Sequence, residues 1–316
     1  MRSEFDFIND IKSRHNLSKV GDDCAILPKD DKTDLLITSD MLVEGIDFRL
    51  DWTTPEDLGH KALAVSLSDI AAMGGTPTFG MLSIAIDEDL WKGDFLDRFY
   101  NGWRRLARRY KVELVGGDIS RTPGPLTFDS TVLGDVPRGA AILRSTARPG
   151  DGIYVAGTLG SAAGGLRLLP KTVNASTPSE ERRLVKSQLR PEACINTGKY
   201  VQKHDLATSM IDLSDGLSSD LMHICTASGV GAEIYANRIP TDPALASFFS
   251  PDESLDMALN GGEDFQLLFT GHEEKVSAAN IAGVTRIGTI TDNLGIIELF
   301  SGTTRTRIEP RGYRHF

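Results

Sequence analysis

The spacing of apolar residues in the first half of the chain predicts helices and strands in turn. A short amphipathic helix opens the chain, and a second begins where Thr54 and Pro55 precede two acidic residues, continuing toward Met73. A long basic amphipathic helix is predicted over residues 91–110. Apolar runs predict strands at residues 25–27, 35–38, 79–86, 112–115 and 126–134.

The second half of the chain carries a similar mixture after the hinge-like sequence at residues 137–139. A glycine-rich turn at 157–161 opens a helix, and polar residues 170–181 predict a surface loop. Further helices are predicted near 193–204 and 217–228, and strands at 152–156, 209–212, 231–235, 265–269 and 286–290. Because some strands are adjacent along the chain, we expect an α+β protein with mixed sheets rather than a doubly wound Rossmann fold.

Length and charge narrow the picture further. A chain of 316 residues with 40% hydrophobic content exceeds one typical core. We expect two α/β-type domains, residues 1–137 and residues 138–316. The formal net charge of −10 argues against nucleic acid and anionic membranes as partners. Three scattered cysteines predict a reducing, cytoplasmic setting, and no segment approaches the ~20 apolar residues that span a bilayer.

Aspartates recur in short clusters beside glycine or hydroxyl residues, and several of these clusters follow a predicted strand. The clusters are Gly21-Asp22-Asp23, Thr38-Ser39-Asp40, Ser68-Asp69, Gly116-Gly117-Asp118, Asp212-Leu213-Ser214-Asp215-Gly216 and Gly261-Gly262-Glu263-Asp264. Carboxylates gathered at the rim of a sheet repel one another unless hard cations lie between them. Oxygen ligands without His or Cys indicate Mg²⁺, which commonly also binds substrate phosphates. The pattern therefore predicts a phosphate-handling enzyme with several Mg²⁺ ions.

A single Asp at a turn is more often a cap or turn former than a ligand, so the hypothesis depends on repetition. Asp40 ends an apolar run, and Asp69 lies within an apolar helical segment, where an unpaired charge would be costly. Asp212 and Asp215 are three residues apart across a strand-to-helix turn and can converge. Ser214, between them, fits an N-cap role equally well.

The segment Gly157–Gly165 superficially suggests a phosphate loop, but it does not match G-x-G-x-x-G. No P-loop sequence occurs anywhere in the chain. Close backbone packing at a strand-to-helix turn is the alternative. Arg144 could pair with a phosphate or form a surface ion pair. Tyr100 and Trp103, on the basic helix, fit a core role better than nucleotide contact by spacing alone.

Taken together, these motifs resemble thiamine-monophosphate kinase, of the superfamily that includes aminoimidazole ribonucleotide synthetase and selenophosphate synthetase. The resemblance covers essentially the whole chain, and its specificity comes from the joint order and spacing of the motifs. Besides the aspartate clusters, it includes Glu44-Gly45, Lys61 through Gly74, Leu189-Arg190-Pro191 and the closing residues Gly312 through Phe316.

The resemblance implies transfer of the γ-phosphoryl group of ATP onto thiamine phosphate. It implies that Mg²⁺ ions are held by Asp23, Thr38, Ser39, Asp40, Asp69, Asp118, Asp212 and Asp215. It implies that ATP contacts Tyr100, Gly117, Asp118, Arg144 and Ser214, and that thiamine phosphate lies by Asp47, Glu263 and Tyr313. It further implies a homodimer whose N-terminal domains bind ATP and metal and form a shared barrel.

One position departs from the family pattern. Where the family usually has His beside the substrate, this chain has Asp47. A carboxylate repels a phosphate unless a metal lies between them. A non-catalytic or substrate-diverged nucleotide-binding member is therefore the alternative hypothesis. A Ca²⁺-binding structural protein is a weaker one, because no EF-hand loop spacing occurs.

Overall fold

Two mixed sheets organise the protein, whose computed structural model describes residues 4–169 and 177–313. Residues 170–176 of the predicted surface loop and the closing residues 314–316 lie outside this description. The helices are α1 Glu4–His15, α2 Pro55–Ala72, α3 Glu88–Lys92, α4 Phe95–Tyr110, α5 Ser161–Leu168, α6 Ser179–Leu189, α7 Ile195–Lys203, α8 Leu217–Ser228, α9 Pro251–Asn260 and α10 Glu273–Ala279. The strands are β1 Ala25–Pro28, β2 Thr33–Val43, β3 Thr76–Ile86, β4 Glu113–Arg121, β5 Thr127–Pro137, β6 Gly152–Ala156, β7 Ser209–Asp212, β8 Gly231–Tyr235, β9 Leu267–Gly271, β10 Val284–Thr291, β11 Ile297–Ser301 and β12 Thr304–Ile308.

The first sheet has five strands in the order β1-β2-β5-β3-β4, and only its β3–β4 pair is parallel. The second has seven strands in the order β12-β11-β8-β10-β6-β9-β7, and only β8–β11 is parallel. Helices accompany both sheets. This arrangement confirms the predicted α+β class with mixed sheets.

Helix α2 connects the two halves of the molecule. It packs against β2 and β5 of the first sheet and also against α7 and β7. Nearly every residue from Leu58 to Ala72 is buried, as expected for a helix covered on all sides. The helix begins as predicted, because the Thr54 hydroxyl accepts a hydrogen bond from the Asp57 amide at 3.2 Å.

Strand β2 is longer than the apolar run that predicted it. It pairs with β5 from Thr33 through Val43, so Asp40 lies inside the strand and not at its end. Burial alternates through the polar residues, with Thr38 buried, Ser39 exposed and Leu42 buried. Backbone pairing with β5 is indifferent to side-chain polarity, so the strand continues. Asp118 likewise lies within β4, whose residues are all exposed.

Several further differences separate the sequence prediction from the structure. The helix predicted over 91–110 is two helices, α3 and α4, separated at Gly93 and Asp94. Helix α9 was missed despite a local signal, because Ser250 and Glu253 form a reciprocal capping box. Strands β11 and β12 and helices α6 and α10 were also missed, and α6 begins at Ser179, inside the surface loop predicted over residues 170–181. Among the described residues, no helix combines the length and apolar character needed to cross a membrane.

Candidate active site

Three aspartates from distant parts of the chain meet beside α2. Asp23 precedes β1, Asp69 lies in the last turn of α2, and Asp212 ends β7; one carboxylate oxygen of each lies within 4.8 Å of the others. Thr38 donates a hydrogen bond from its hydroxyl to the Asp69 carboxylate. Asp40, on β2, is close enough to raise the pKa of Asp69. The structure thus brings together five of the predicted metal ligands.

Burial dominates the electrostatics of these carboxylates. It raises the pKa of Asp212 to about 8, with Asp23 adding to the shift, and it raises the pKa of Asp40 to about 6. The pKa of Asp69 is well above its ordinary value, because burial and then repulsion by Asp40 and Asp212 both disfavour its charge. Such a cluster holds protons near neutral pH unless a cation compensates its charge.

Two observations indicate that a cation fits here. One carboxylate oxygen of Asp23 and one of Asp40 are buried without a hydrogen-bond partner among the described residues. Buried acceptors of this kind are normally satisfied, and a hard cation satisfies them as well as a donor does. The donor set is entirely oxygen, which suits Mg²⁺.

Arg144 is the cation that the chain itself supplies. Its guanidinium group pairs with Asp23, whose side chain is fully buried, so the pair is not the surface ion pair that was one alternative. Burial alone would lower the pKa of Arg144, but the Asp23 carboxylate raises it. Its backbone is held too, because the Arg144 amide donates to Asp22 at 2.7 Å and Ser228 donates to the Arg144 carbonyl at 2.8 Å.

The side chains of two other predicted ligands lie outside this cluster. The Ser39 hydroxyl faces the exposed side of the first sheet, 3.1 Å from the Asp129 carboxylate and 3.0 Å from the Thr131 hydroxyl. Asp118 on β4 is paired with Ser83 on β3, and Ser83 is paired with Asp129 on β5. Paired residues on neighbouring strands point to the same face of a sheet, so Asp118 lies on the same face as Asp129. Ser39 and Asp118 stay predicted ligands, but their side chains lie on the opposite face of the sheet from the cluster, because successive strand residues point to opposite faces.

A cavity of about 900 Å³ adjoins the carboxylates. It is lined by residues of both halves of the chain, including the predicted site residues Asp40, Asp47, Ser214, Asp215, Glu263 and Tyr313. The pKa of the Tyr313 hydroxyl is raised, mainly by burial and further by the nearby charges of Asp47, Glu263 and Asp215. The Tyr313 amide donates to the Asp215 carbonyl at 3.1 Å. The cavity thus joins the aspartates of the site to the residues expected beside the substrate.

Glu263 reaches the cavity from an unusual backbone. Its φ is +67°, and that of Phe265 is +48°, both in the left-handed region that side chains other than Gly disfavour. Two hydrogen bonds hold this conformation, from the Glu263 amide to Ser214 O at 2.8 Å and from the Phe265 amide to Leu213 O at 2.9 Å. Ser214 therefore supports the Glu263 loop through its carbonyl. It is not the N-cap of α8, because Gly216 occupies that position.

Asp47 forms a turn at one wall of the cavity. Its carboxylate accepts a hydrogen bond from the Val43 amide at 2.8 Å, and its own amide donates to the Val43 carbonyl at 2.9 Å. The carboxylate thus closes a local turn where the family usually has His. This gives Asp47 a structural role that does not involve substrate.

The glycine-rich turn before α5 binds a carboxylate of the protein itself. The amides of Gly160 and Ala162 donate to Asp264 at 2.6 Å and 3.0 Å. A Cβ on Gly165 would lie 2.1 Å from the Leu184 carbonyl, so this glycine permits close packing of α5 on α6. The packing interpretation of this segment is confirmed.

Two predicted nucleotide contacts lie away from the cavity. Tyr100 is half-buried on α4 and meets the Phe99 ring edge-on, with centroids 5.8 Å apart. Gly117 has φ +150°, and a Cβ there would lie 1.8 Å from the Leu82 carbonyl, so the β3–β4 contact requires glycine. Trp103 is buried in the core, as its spacing indicated.

Three residues that the sequence reasoning missed belong to this region. Asp220 and His223 place one ligand atom each within 4.8 Å of Asp215 and of each other. The Asp220 carboxylate accepts the amides of Asp215 and Gly216 at 3.2 Å and 2.9 Å. Lys61 lies in the cavity wall, buried on α2. Lys61 could have been identified in the same way as Asp69, because each is a charged residue within the apolar run of α2.

Comparisons with known proteins show the family to which this chain belongs. Models of AIR synthase related protein match residues 21–136 as the N-terminal domain and 148–297 as the C-terminal domain. Thiamine-monophosphate kinase of Escherichia coli K12 is 40% identical over 94% of this chain and 91% of its own. The Bacillus subtilis enzyme of the same name is 36% identical over 99% of each chain.

Solved structures give the same result. The structure described as AaThiL complexed with AMPPCP and TMP has a TM-score of 0.89 and 35% identity, covering 99% of this chain and 97% of that one. Thiamine-monophosphate kinase from Stenotrophomonas maltophilia K279a has a TM-score of 0.79 and 35% identity, covering 94% and 96%. Identity of this extent, over nearly the whole length of these relatives, makes this chain a member of the thiamine-monophosphate kinase family.

Proposed function

We propose that this protein transfers the γ-phosphoryl group of ATP to thiamine phosphate, giving thiamine diphosphate and ADP. The observation that carries the proposal is the buried cluster of Asp23, Asp69 and Asp212 beside a cavity of about 900 Å³. Family membership supports it, since the relatives named above are thiamine-monophosphate kinases. The relative described with AMPPCP and TMP pairs an ATP-like polyphosphate with a second ligand.

Several Mg²⁺ ions are part of this proposal. Asp23, Thr38, Asp40, Asp69 and Asp212 would hold them from the buried side of the first sheet, and Asp215 from the cavity wall. Ser39 and Asp118 would contribute from the exposed side of that sheet. When bound, Mg²⁺ would neutralise the negative charge of the phosphates that must approach each other.

The chain's own residues then have binding and orienting roles. The attacking group is an oxygen of thiamine phosphate, which is ionised near neutral pH, so no general base is required. The oxygen forms a bond to the γ-phosphorus while the bond from that phosphorus to the ADP oxygen breaks. In-line alignment of the two ligands in one cavity lowers the barrier. Glu263 and Tyr313, which line the cavity, would hold the thiamine portion.

Arg144 and Ser214 would contact ATP without a P-loop, and Tyr100, Gly117 and Asp118, which lie away from the cavity, are proposed as further contacts. In this proposal the amides at the start of α5 take no part in phosphate binding. Asp264 already accepts hydrogen bonds from Gly160 and Ala162 and would repel an anion there. Arg144 needs only to exchange Asp23 for a phosphate as its partner.

A homodimer with a shared N-terminal barrel is also proposed. The exposed face of the first sheet carries Met41, with 59% of its surface accessible, and Met81, with 39%. The edge strand β4 adds Val115 and Ile119, at 53% and 46%. Apolar faces and unpaired strand edges of this kind are commonly covered by a partner. A second copy would cover them and enclose Ser39 and Asp118.

Two smaller proposals accompany this one. We place the domain boundary between residues 137 and 138, because the last strand of the first sheet ends at Pro137 and the matched domains are residues 21–136 and 148–297. The cytoplasmic location stays a prediction from the cysteines, which are all free.

One assay tests the function directly. Purified protein is incubated with Mg-ATP and thiamine phosphate, and ADP and thiamine diphosphate are measured together. Equal amounts of the two products are expected, with little ADP when thiamine phosphate is omitted or thiamine replaces it. Tight nucleotide binding without thiamine diphosphate would instead favour the substrate-diverged alternative, for which Asp47 is the motivating residue.

A further inference from the structure

We infer that Lys61 is a positioning residue for the thiamine-phosphate half of the site, an inference that rests on the proposed function. Its ammonium group lies 2.6 Å from one carboxylate oxygen of Glu263 and donates to the Asp47 carbonyl at 3.3 Å. Both partners line the cavity, one from each half of the chain. Lys61 therefore ties together two walls that are distant in sequence.

The ion pair between Lys61 and Glu263 is unusual because the lysine is buried. The Lys61 side chain is 4% exposed and that of Glu263 is 29% exposed. A lysine so deeply placed is rare without a partner, since removing its charge from water is costly. The other acids that line the cavity carry the same charge sign as Glu263 and cannot replace Lys61; they are Asp40, Asp47, Asp215 and Asp256.

Glu263 is held from two sides. Gln188 donates a hydrogen bond to its second carboxylate oxygen, so each oxygen has a fixed donor. The backbone of Glu263 lies in the disfavoured left-handed region, which persists only where surrounding contacts hold it. Lys61 thus fixes the orientation of the Glu263 carboxylate and compensates its charge. Glu263 then acts as an oriented hydrogen-bond acceptor.

The position of Lys61 on α2 relates the Lys61–Glu263 ion pair to the carboxylate cluster. Asp69, in the carboxylate cluster, follows eight residues later on the same buried helix, which spans about 12 Å at 1.5 Å per residue. One rigid element therefore fixes the distance between the cation-binding cluster and the acceptor-binding wall. Such a spacing is what in-line transfer between two bound ligands requires.

Steady-state kinetics of Lys61→Met test this role. We expect the KM for thiamine phosphate to rise on the order of tenfold while the KM for ATP stays within about twofold. Combining Lys61→Met with Glu263→Gln should add little to the effect of either change, because the two residues act as one unit. Lys275→Met is the matched control, since Lys275 forms an exposed pair with Asp205 at 2.9 Å.

A role confined to folding predicts a different result. Lys61→Met would then change both KM values equally or neither, and its effect would add to that of Glu263→Gln. Either result would overturn the inference. The wild-type assay is run first, so that failure of the proposed function is recognised separately as an absence of thiamine diphosphate.

Hydrogen exchange in the free protein decides the inference without any substrate. The amides of Glu263 and Phe265, in the loop that Lys61 holds, donate hydrogen bonds to the carbonyls of Ser214 and Leu213. Lys61→Met should lower their protection selectively, while Lys275→Met should leave it unchanged. Unchanged protection in Lys61→Met would mean that the Glu263 loop keeps its conformation without Lys61, and the positioning role would be wrong.

Discussion

The Asp264 carboxylate lies 2.6 Å from the Gly160 amide and caps α5 from 104 residues away. It also accepts the Ala162 amide at 3.0 Å. The helix terminus that most resembles a phosphate loop in sequence is therefore occupied by the protein's own anion. Asp264 immediately follows Glu263, so the same short segment caps one helix and presents a carboxylate to the cavity.

This cap gives a pH-dependent stability with a defined sign. Burial raises the pKa of Asp264 to about 7 from an ordinary value of 3.8, so between these values the folded state binds more protons than the unfolded state. Asp264 therefore contributes most stability below pH 3.8, and that contribution is lost as pH rises through about 7. The gap in unfolding free energy between wild type and Asp264→Asn should be larger at acid pH than at alkaline pH. Urea unfolding across this range measures it, and a gap that grows with pH would contradict the raised pKa.

The carboxylate cluster should be essential for turnover but not for folding. Asp69→Asn or Asp40→Asn should lower kcat by about 100-fold or more, because each removes a charge that compensates Mg²⁺. Thermal unfolding should change little or improve, since both carboxylates repel their neighbours. Asp205→Asn, at an exposed site, is the control. Near-normal turnover in either variant would remove that residue from the metal site.

Mg²⁺ should stabilise the folded protein in a pH-dependent manner. Cation binding requires loss of the protons held by Asp212, with a pKa of about 8, and Asp40, with a pKa of about 6. The rise in melting temperature caused by Mg²⁺ should therefore shrink as pH falls from 8 to below 6. Ligand present at about 100 times its Kd should add about 2.7 kcal/mol by mass action. A shift that is independent of pH would show that the cation binds elsewhere.

Thiamine phosphate alone should bind weakly. Without divalent cations its phosphate would meet the carboxylates that line the cavity, so chelator-treated protein should show little shift in melting temperature on adding it. Calorimetry with and without Mg²⁺ measures the difference directly. Tight binding in the presence of a chelator would mean that a basic group recognises the phosphate, with Arg144 the first candidate.

The exposed face of the first sheet should be a dimer interface. Met81→Lys places a charge on that face, where 39% of the Met81 surface is accessible, and should convert the dimer to a monomer at micromolar concentration. Leu294→Lys changes a side chain that is 69% exposed in the turn between β10 and β11, and should leave the dimer intact. Light scattering separates these outcomes. A monomeric wild type with full activity would contradict the proposal.

Local sequence determined the features that depend on neighbouring residues. Thr54 and Pro55 start α2 because capping and the fixed φ of proline act within one turn. Asp69 was identified as a site residue because a carboxylate within an apolar helical run must face either a partner or a ligand. The capping box at Ser250 was equally local and was overlooked.

Tertiary structure alone decided which polar residues meet. The pairing of β2 with β5 continued the strand through Thr38 and Asp40 and turned Ser39 to the opposite face. The carboxylate that caps α5 comes from Asp264, and the partner of Lys61 comes from the Glu263 loop, more than a hundred residues away in each case. Charged groups pair when the fold brings them close in space. The local sequence around each residue does not contain this information, because the fold depends on the whole chain.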